Sequence, residues 1–227
     1  MTIQEYFNDW SQVIDLNEAD SIVKRLSASS MPICPQLKDV FKAFRLCSFS
    51  DLRCVIIGQD PYNNMMNGVP VATGIAFANN KTTSANSLSP SLEVLKESVI
   101  DYTIPHVSII FDPSFEKWEE QGVLMLNSAL TCIVGQAGSH SLLWRPFIKT
   151  FLERLSHQRC GLVYLLMGQQ AQSFEPYICH TGNHILKTPH PSWYARQGRR
   201  MPSDVWKQIN NILISQNGYG IEWYEEH

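Results

Sequence analysis

Apolar residues along this chain follow two rhythms. Four short unbroken runs read as buried strands: Cys54-Val55-Ile56-Ile57, Val123-Leu124-Met125-Leu126, residues 162–167 and Ile185-Leu186. Between them apolar positions return at helical spacing. The spacing predicts helices beginning at residue 3 and running to about 26 (Ile3, Tyr6, Phe7, Trp10, Val13 and Ile14 on one face), over 36–46 (Leu37, Val40, Phe41, Phe44), 90–101, 112–121, 145–157 and 202–215, the last with Val205, Ile209, Ile212 and Leu213 inward. Pro90 suits a first helical turn, Asp112-Pro113 an N-cap and first residue, and Gly122 a C-terminal cap. Residues 27–35 and 63–73 read as loops and 79–89 as a polar, mobile stretch, while 102–111 fit no element.

Strands that alternate with helices imply a parallel sheet. The expected fold is α/β: a three-layer sandwich with a central four-stranded parallel sheet flanked by helices. Such a sheet places the carboxyl ends of its strands along one edge, where open α/β folds hold their ligands. Here those ends carry Asp60, Asn127, Gly168 and His190. Asp60 precedes Pro61, which fixes its own backbone and biases Asp60 towards an extended conformation. By itself Asp60 fits either a turn residue or a carboxylate aimed into a cleft.

Composition narrows the function. The 227 residues are 44% apolar, enough for one α/β domain with a sizeable core and short of any membrane-length apolar run. The first five residues lack the basic and apolar regions of a signal peptide, so an intracellular, cytoplasmic place is expected. The six cysteines, at 34, 47, 54, 132, 160 and 179, form no Cys-x-x-Cys pair, and no metal site is expected. A net charge of −3 does not advertise nucleic acid, yet residues 187–200 hold Lys187, Arg196, Arg199 and Arg200 without an acid, a candidate phosphate-binding face.

The chemistry at the strand ends is an acid, an amide and an imidazole. Asp60 suits orienting a water or stabilising a developing cation. Asn127 offers a donor and an acceptor, the pair that reads a planar amide-like edge. His190 suits donation to an oxygen that becomes anionic, and Phe77 offers a ring for stacking. Together they suggest a nucleobase taken out of its stack. Each has a structural reading too: a cap, a core histidine, a core ring.

Seven segments in order sharpen this: Gly58-Gln59-Asp60-Pro61-Tyr62; Gly74-Ile75-Ala76-Phe77; Ser89-Pro90-Ser91-Leu92; Gln121-Gly122 through Asn127; Ser139-His140 with Trp144 and Phe147; Gly168 with Ala171-Gln172; and His190-Pro191-Ser192. In these the chain resembles uracil-DNA glycosylases of the family-one type, over residues 35–224. One domain, 1–227, is expected, with 1–34 an N-terminal helix and loop. The resemblance implies hydrolysis of the bond between uracil and deoxyribose in DNA, without metal or cofactor, leaving an abasic site. By carry-over Asp60 and His190 are catalytic. Gln59 (through its backbone), Tyr62, Phe77 and Asn127 bind uracil, with Tyr62 where the methyl of thymine must go. Pro90, Ser91, Gly168, Ser192 and Tyr194 meet the DNA. The implied partner is uracil-containing DNA, single or double stranded, met by a monomer; a protein inhibitor is left open.

Two departures stand out. The loop at 63–73 is longer than the family's. Tyr194 occupies the position of the leucine that the family wedges into DNA, with Trp193 before it. An aromatic wedge at Tyr194 is the expectation. A catalytically silent DNA-binding relative, serving as a replication scaffold, is the competing reading, and intact Asp60 and His190 argue against it.

Overall fold

The computed structural model describes residues 3–79, 88–102 and 109–226. Its centre is a parallel four-stranded sheet of β1 (Cys54–Gly58), β2 (Val123–Asn127), β3 (Val163–Met167) and β4 (His184–Thr188), in the order β2-β1-β3-β4. Every residue of β1, β2 and β3 is buried, which is why their sequences are unbroken apolar runs. β4 is an edge strand, and its residues are mostly part-exposed. Register sets Gly58 against Asn127 and Met167 against Thr188, so the chain leaves all four strands at one edge.

Helices flank the sheet: α1 (Leu16–Ala28), α2 (Pro90–Tyr102), α3 (Ser141–Gln158), α4 (Pro191–Gln197) and α5 (Asp204–Asn217). The core runs from Phe7 and Trp10 near the N-terminus to Trp223 near the C-terminus. Trp118, Trp206 and Trp223 stack at centroid distances of 4.8–5.4 Å and tie α5 and the chain's end to the body.

Several element boundaries differ from the apolar pattern. The helix expected from residue 3 stops at Phe7, passes through a 3-10 turn (Asn8–Gln12), and restarts at Leu16. Asn8 adopts φ 45°, and Asp15 caps the new helix by accepting from the Glu18 N–H at 3.0 Å. The stretch 36–46 likewise splits into Leu37–Asp39 and Lys42–Leu46, although Val40, Phe41 and Phe44 are buried as expected. Asp112 accepts from the backbone and hydroxyl of Ser114, and a left-handed Phe115 (φ 55°) delays the next helix to Glu116–Glu120. α3 begins four residues earlier than expected and contains Pro146 in its second turn. On α5, Ile209 and Leu213 are buried while Val205 and Ile212 are half-buried.

The 63–73 loop holds a small hairpin. Met65–Met66 pairs with Val69–Pro70 across Asn67 (φ 52°) and Gly68 (φ 76°). Ile33–Cys34 pairs with Cys132–Ile133, and Ile109–Ile110 with Glu225–Glu226. Most of the polar stretch 79–89, and 103–108, lie outside the described residues. All six cysteines are free. No helix among the described residues is long and apolar enough to cross a membrane.

Candidate active site

β1 ends at Gly58, where a side chain has no room: an added Cβ would stand 2.7 Å from Asn127 Oδ1 and 2.8 Å from the Phe77 ring. The chain then enters a loop held by its neighbours. The Gln59 carbonyl accepts from Ser128 Oγ (2.7 Å) and the Ala129 N–H (3.1 Å). Asp60 Oδ2 accepts from the Gly138 N–H at 3.1 Å, and Oδ1 is buried without a hydrogen-bond partner. Burial raises the Asp60 carboxyl above its ordinary value; the Gly138 N–H and the Gln59 side chain pull it back.

Tyr62 turns its hydroxyl back onto the Phe77 carbonyl, 2.9 Å away. Phe77 sits in the left-handed region (φ 64°), a conformation that costs a bulky residue about 1–3 kcal/mol. That strain presents its ring to the cleft, 5.5 Å from the His190 ring. Asn127, at the end of β2, and Ser91, in the first turn of α2, complete the wall. Ser91 is buried and lines the cleft; Pro90 beside it is exposed.

His190 caps α4. Its Nδ1 lies 3.2 Å from the Ser192 N–H and 2.8 Å from Ser192 Oγ. A backbone N–H only donates, so Nδ1 accepts and the ring proton sits on Nε2. Burial first, and Arg196 second, push the imidazole down to about 4, so it is neutral at physiological pH. Gly168 makes this placement possible: at φ 88°, an added Cβ would fall 2.7 Å from His190 Cβ.

Asp60, Tyr62, Phe77, Asn127 and His190 thus line one cleft. Gln59, Gly168 and Ser192 line a groove of about 550 Å³ that meets it at His190. Tyr194 belongs to neither. It is 8% exposed, its ring packs in the core, and its hydroxyl lies 3.3 Å from Thr188 Oγ1. The residues after Ser192 form a helix rather than a loop, and Pro191 and Tyr194, three apart, share its inner face. The structure thus packs Tyr194, the expected wedge, against the core and brings its neighbour Trp193 to the groove. The Gly138 donor to Asp60 escapes sequence reading, since nothing in a Gly-rich turn 78 residues away marks it. Among the described residues no group of three His, Cys, Asp or Glu side chains is placed to hold a metal.

Fold and site define a parallel-sheet α/β protein whose strand ends bring a carboxylate, an amide and a neutral imidazole to one cleft. The family follows from comparison. The Uracil DNA glycosylase superfamily matches residues 44–214, and the chain belongs to it. A uracil-DNA glycosylase of Escherichia coli is 40% identical over 197 residues, 86% of this chain and 82% of the relative. One of Pectobacterium atrosepticum is 37% identical over 210 residues, 92% and 88% of the two chains. The crystal structure of mimivirus uracil-DNA glycosylase superposes with a TM-score of 0.74 at 20% identity, covering 98% of this chain and 93% of that one. A mimivirus variant in complex with UGI gives 0.75 at 21% identity, covering 92% and 80%.

Proposed function

We infer that this chain excises uracil from DNA, hydrolysing the N-glycosidic bond to free uracil and an abasic site in base excision repair. The observation that carries the mechanism is the pairing, in one cleft, of a buried Asp60 oxygen without a partner and an imidazole whose proton faces away from Nδ1. A uracil turned out of the helix enters between Phe77 and the amide of Asn127. As the C1′–N1 bond breaks, its electron pair passes into the ring and onto O2, where His190 Nε2–H donates. Asp60 orients the water whose oxygen bonds to C1′ and stabilises the cationic sugar. The water's proton leaves through Asp60 to solvent, and the uracil anion takes up a proton from solvent as it is released. Donation without full proton transfer suffices, in keeping with an imidazole that stays neutral.

Asn127 reads N3–H and O4; cytosine reverses that pattern and leaves buried groups unpaired. The Gln59 backbone assists at O2, and Tyr62 fills the space a thymine methyl needs. Pro90, Ser91, Gly168 and Ser192 serve the DNA backbone. The continuous core supports a single domain, taken here to work as a monomer, and six free thiols fit an intracellular place. The UGI complex of the mimivirus relative makes a protein inhibitor a candidate partner here too.

The test is a uracil-containing oligonucleotide, single and double stranded, incubated with excess chelator. Abasic sites in either form are expected; none in both would leave the silent DNA-binding relative. Asn127→Asp should gain measurable cytosine release while its melting temperature stays near wild type. A folded variant with no cytosine release would remove Asn127 from the reading head.

A further inference from the structure

The basic stretch at 187–200 does not act as one face. Lys187 pairs with Glu175 at 2.9 Å and Arg200 with Asp101 at 2.6 Å. The Arg199 guanidinium lies over the Trp193 ring, 6.0 Å from its centre. Arg196 differs. One turn beyond Ser192 on α4, its Nη1 donates to Ser192 Oγ at 3.1 Å, and that oxygen is the atom 2.8 Å from His190 Nδ1.

Counting protons fixes the direction of this chain. A guanidinium has donors only, so Ser192 Oγ accepts from Arg196. The hydroxyl's single proton is then free for the other neighbour, Nδ1. That nitrogen also receives the Ser192 backbone N–H. Two donors on Nδ1 keep the proton on Nε2, and drawing electron density out of the ring through Nδ1 makes Nε2–H a stronger donor.

We propose that Arg196 is a positioning residue that acts through Ser192 to lock His190 in its Nε2–H form and strengthen its donation to the leaving base. The assignment rests on the function proposed above. Among the described residues, the other titratable groups that line the cleft with His190 are Asp60 and Tyr62, both from the loop after β1; the segment after β3 brings glutamines, not charges, to the groove. Arg196 is the cation among them, and its field adds to burial in keeping the imidazole neutral.

The deciding measurement is nitrogen NMR of the histidine rings in the DNA-free protein, with single-turnover excision from a single-stranded substrate alongside. In Arg196→Ala the His190 titration should rise from about 4 by roughly half a pH unit, a size suited to an exposed cation. The excision rate should fall about fivefold, as for the loss of one hydrogen bond, with DNA affinity little changed. Arg196→Gln keeps a donor without the charge and should recover most of the rate. In a Ser192→Ala background, Arg196→Ala should add no further loss of rate. The idea is overturned if the His190 signals and the rate at saturation match wild type while only DNA affinity and its salt dependence change, which would make Arg196 a phosphate contact. Failure of the wild type to excise uracil would instead defeat the proposed function, and the NMR arm separates the two.

Discussion

The two oxygens of Asp60 have different lives: one is held by the Gly138 N–H, the other is buried and unengaged. Such a carboxyl is costly to ionise, and its proton affinity is raised for that reason. The sign of the pH effect follows. On the role proposed for Asp60, protonation blocks water orientation, so excision should fall on the acid side, beginning above the ordinary aspartate value. His190 gains its proton only near 4, so it too titrates on the acid side, and the Asp60 variant tells the two groups apart. Single-turnover rates across pH should show the Asp60 limb in the wild type. Asp60→Asn should lose about 10²-fold or more in rate and lack it. A limb unchanged in Asp60→Asn would assign it elsewhere. Gly58 makes a second residue-scale case. Gly58→Ala would drive a methyl into Asn127 Oδ1 and the Phe77 ring. Base binding should weaken by roughly tenfold, measured as free uracil inhibition, because both readers must shift.

At the scale of elements, the outer edge of β2 shows how the pocket is framed. Among the described residues no strand pairs with Met125 on that side. Its N–H donates to Glu119 Oε1 at 2.9 Å, and its carbonyl accepts from the Ala76 N–H at 3.1 Å, one residue before Phe77. Glu119 is fully buried with Oε2 unpartnered, and burial raises its carboxyl well above 4.5 despite the Met125 N–H and Lys42. A raised folded-state value means that the folded protein holds a proton the unfolded chain has released. Stability therefore falls as pH rises from about 4.5 towards the folded value and stays lower beyond it. Glu119→Gln should remove that slope, so its melting temperature gains on the wild type with rising pH; parallel curves from pH 4 to 8 would refute it. The sheet and its site edge were legible because unbroken apolar runs name buried parallel strands, and parallel strands end together. That logic gathered Asp60, Asn127, Gly168 and His190 from positions 130 residues apart. What it missed is set by backbone choices that periodicity does not record, as at Asn8 and Phe115. Asn67-Gly68 is a hairpin signal that reading 63–73 as a loop passes over. The helix after Ser192 was hidden by its shortness, with only Pro191 to mark a first turn.

Across the whole molecule, that short helix decides which side chain reaches the groove. α4 packs on α2, and its inner face takes Pro191 and Tyr194 out of solvent. Its outer side gives Trp193 and Arg196 to the groove that runs from the cleft past Gly168. An aromatic ring beside a flipping site suits the gap left by the base, where apolar side chains inserted into a stack help hold it open. The two aromatic neighbours should therefore separate cleanly. Tyr194→Ala empties core volume and should cost about 3–5 kcal/mol of stability, lowering activity on single and double strands alike as the fold is lost. Tyr194→Phe keeps the ring and loses only a long 3.3 Å contact to Thr188, so it should behave as wild type on both substrates. Trp193→Ala removes a half-buried ring that packs edge-on against Tyr194, so it should cost less stability than Tyr194→Ala, yet lose roughly tenfold on duplex DNA with less effect on single strands, where little unstacking is required. Comparing the three variants on matched single- and double-stranded oligonucleotides, with melting curves beside them, checks the assignment. A stable Tyr194→Phe that fails only on duplex, with Trp193→Ala unaffected, would return the wedge to Tyr194 and require α4 to rotate on binding DNA.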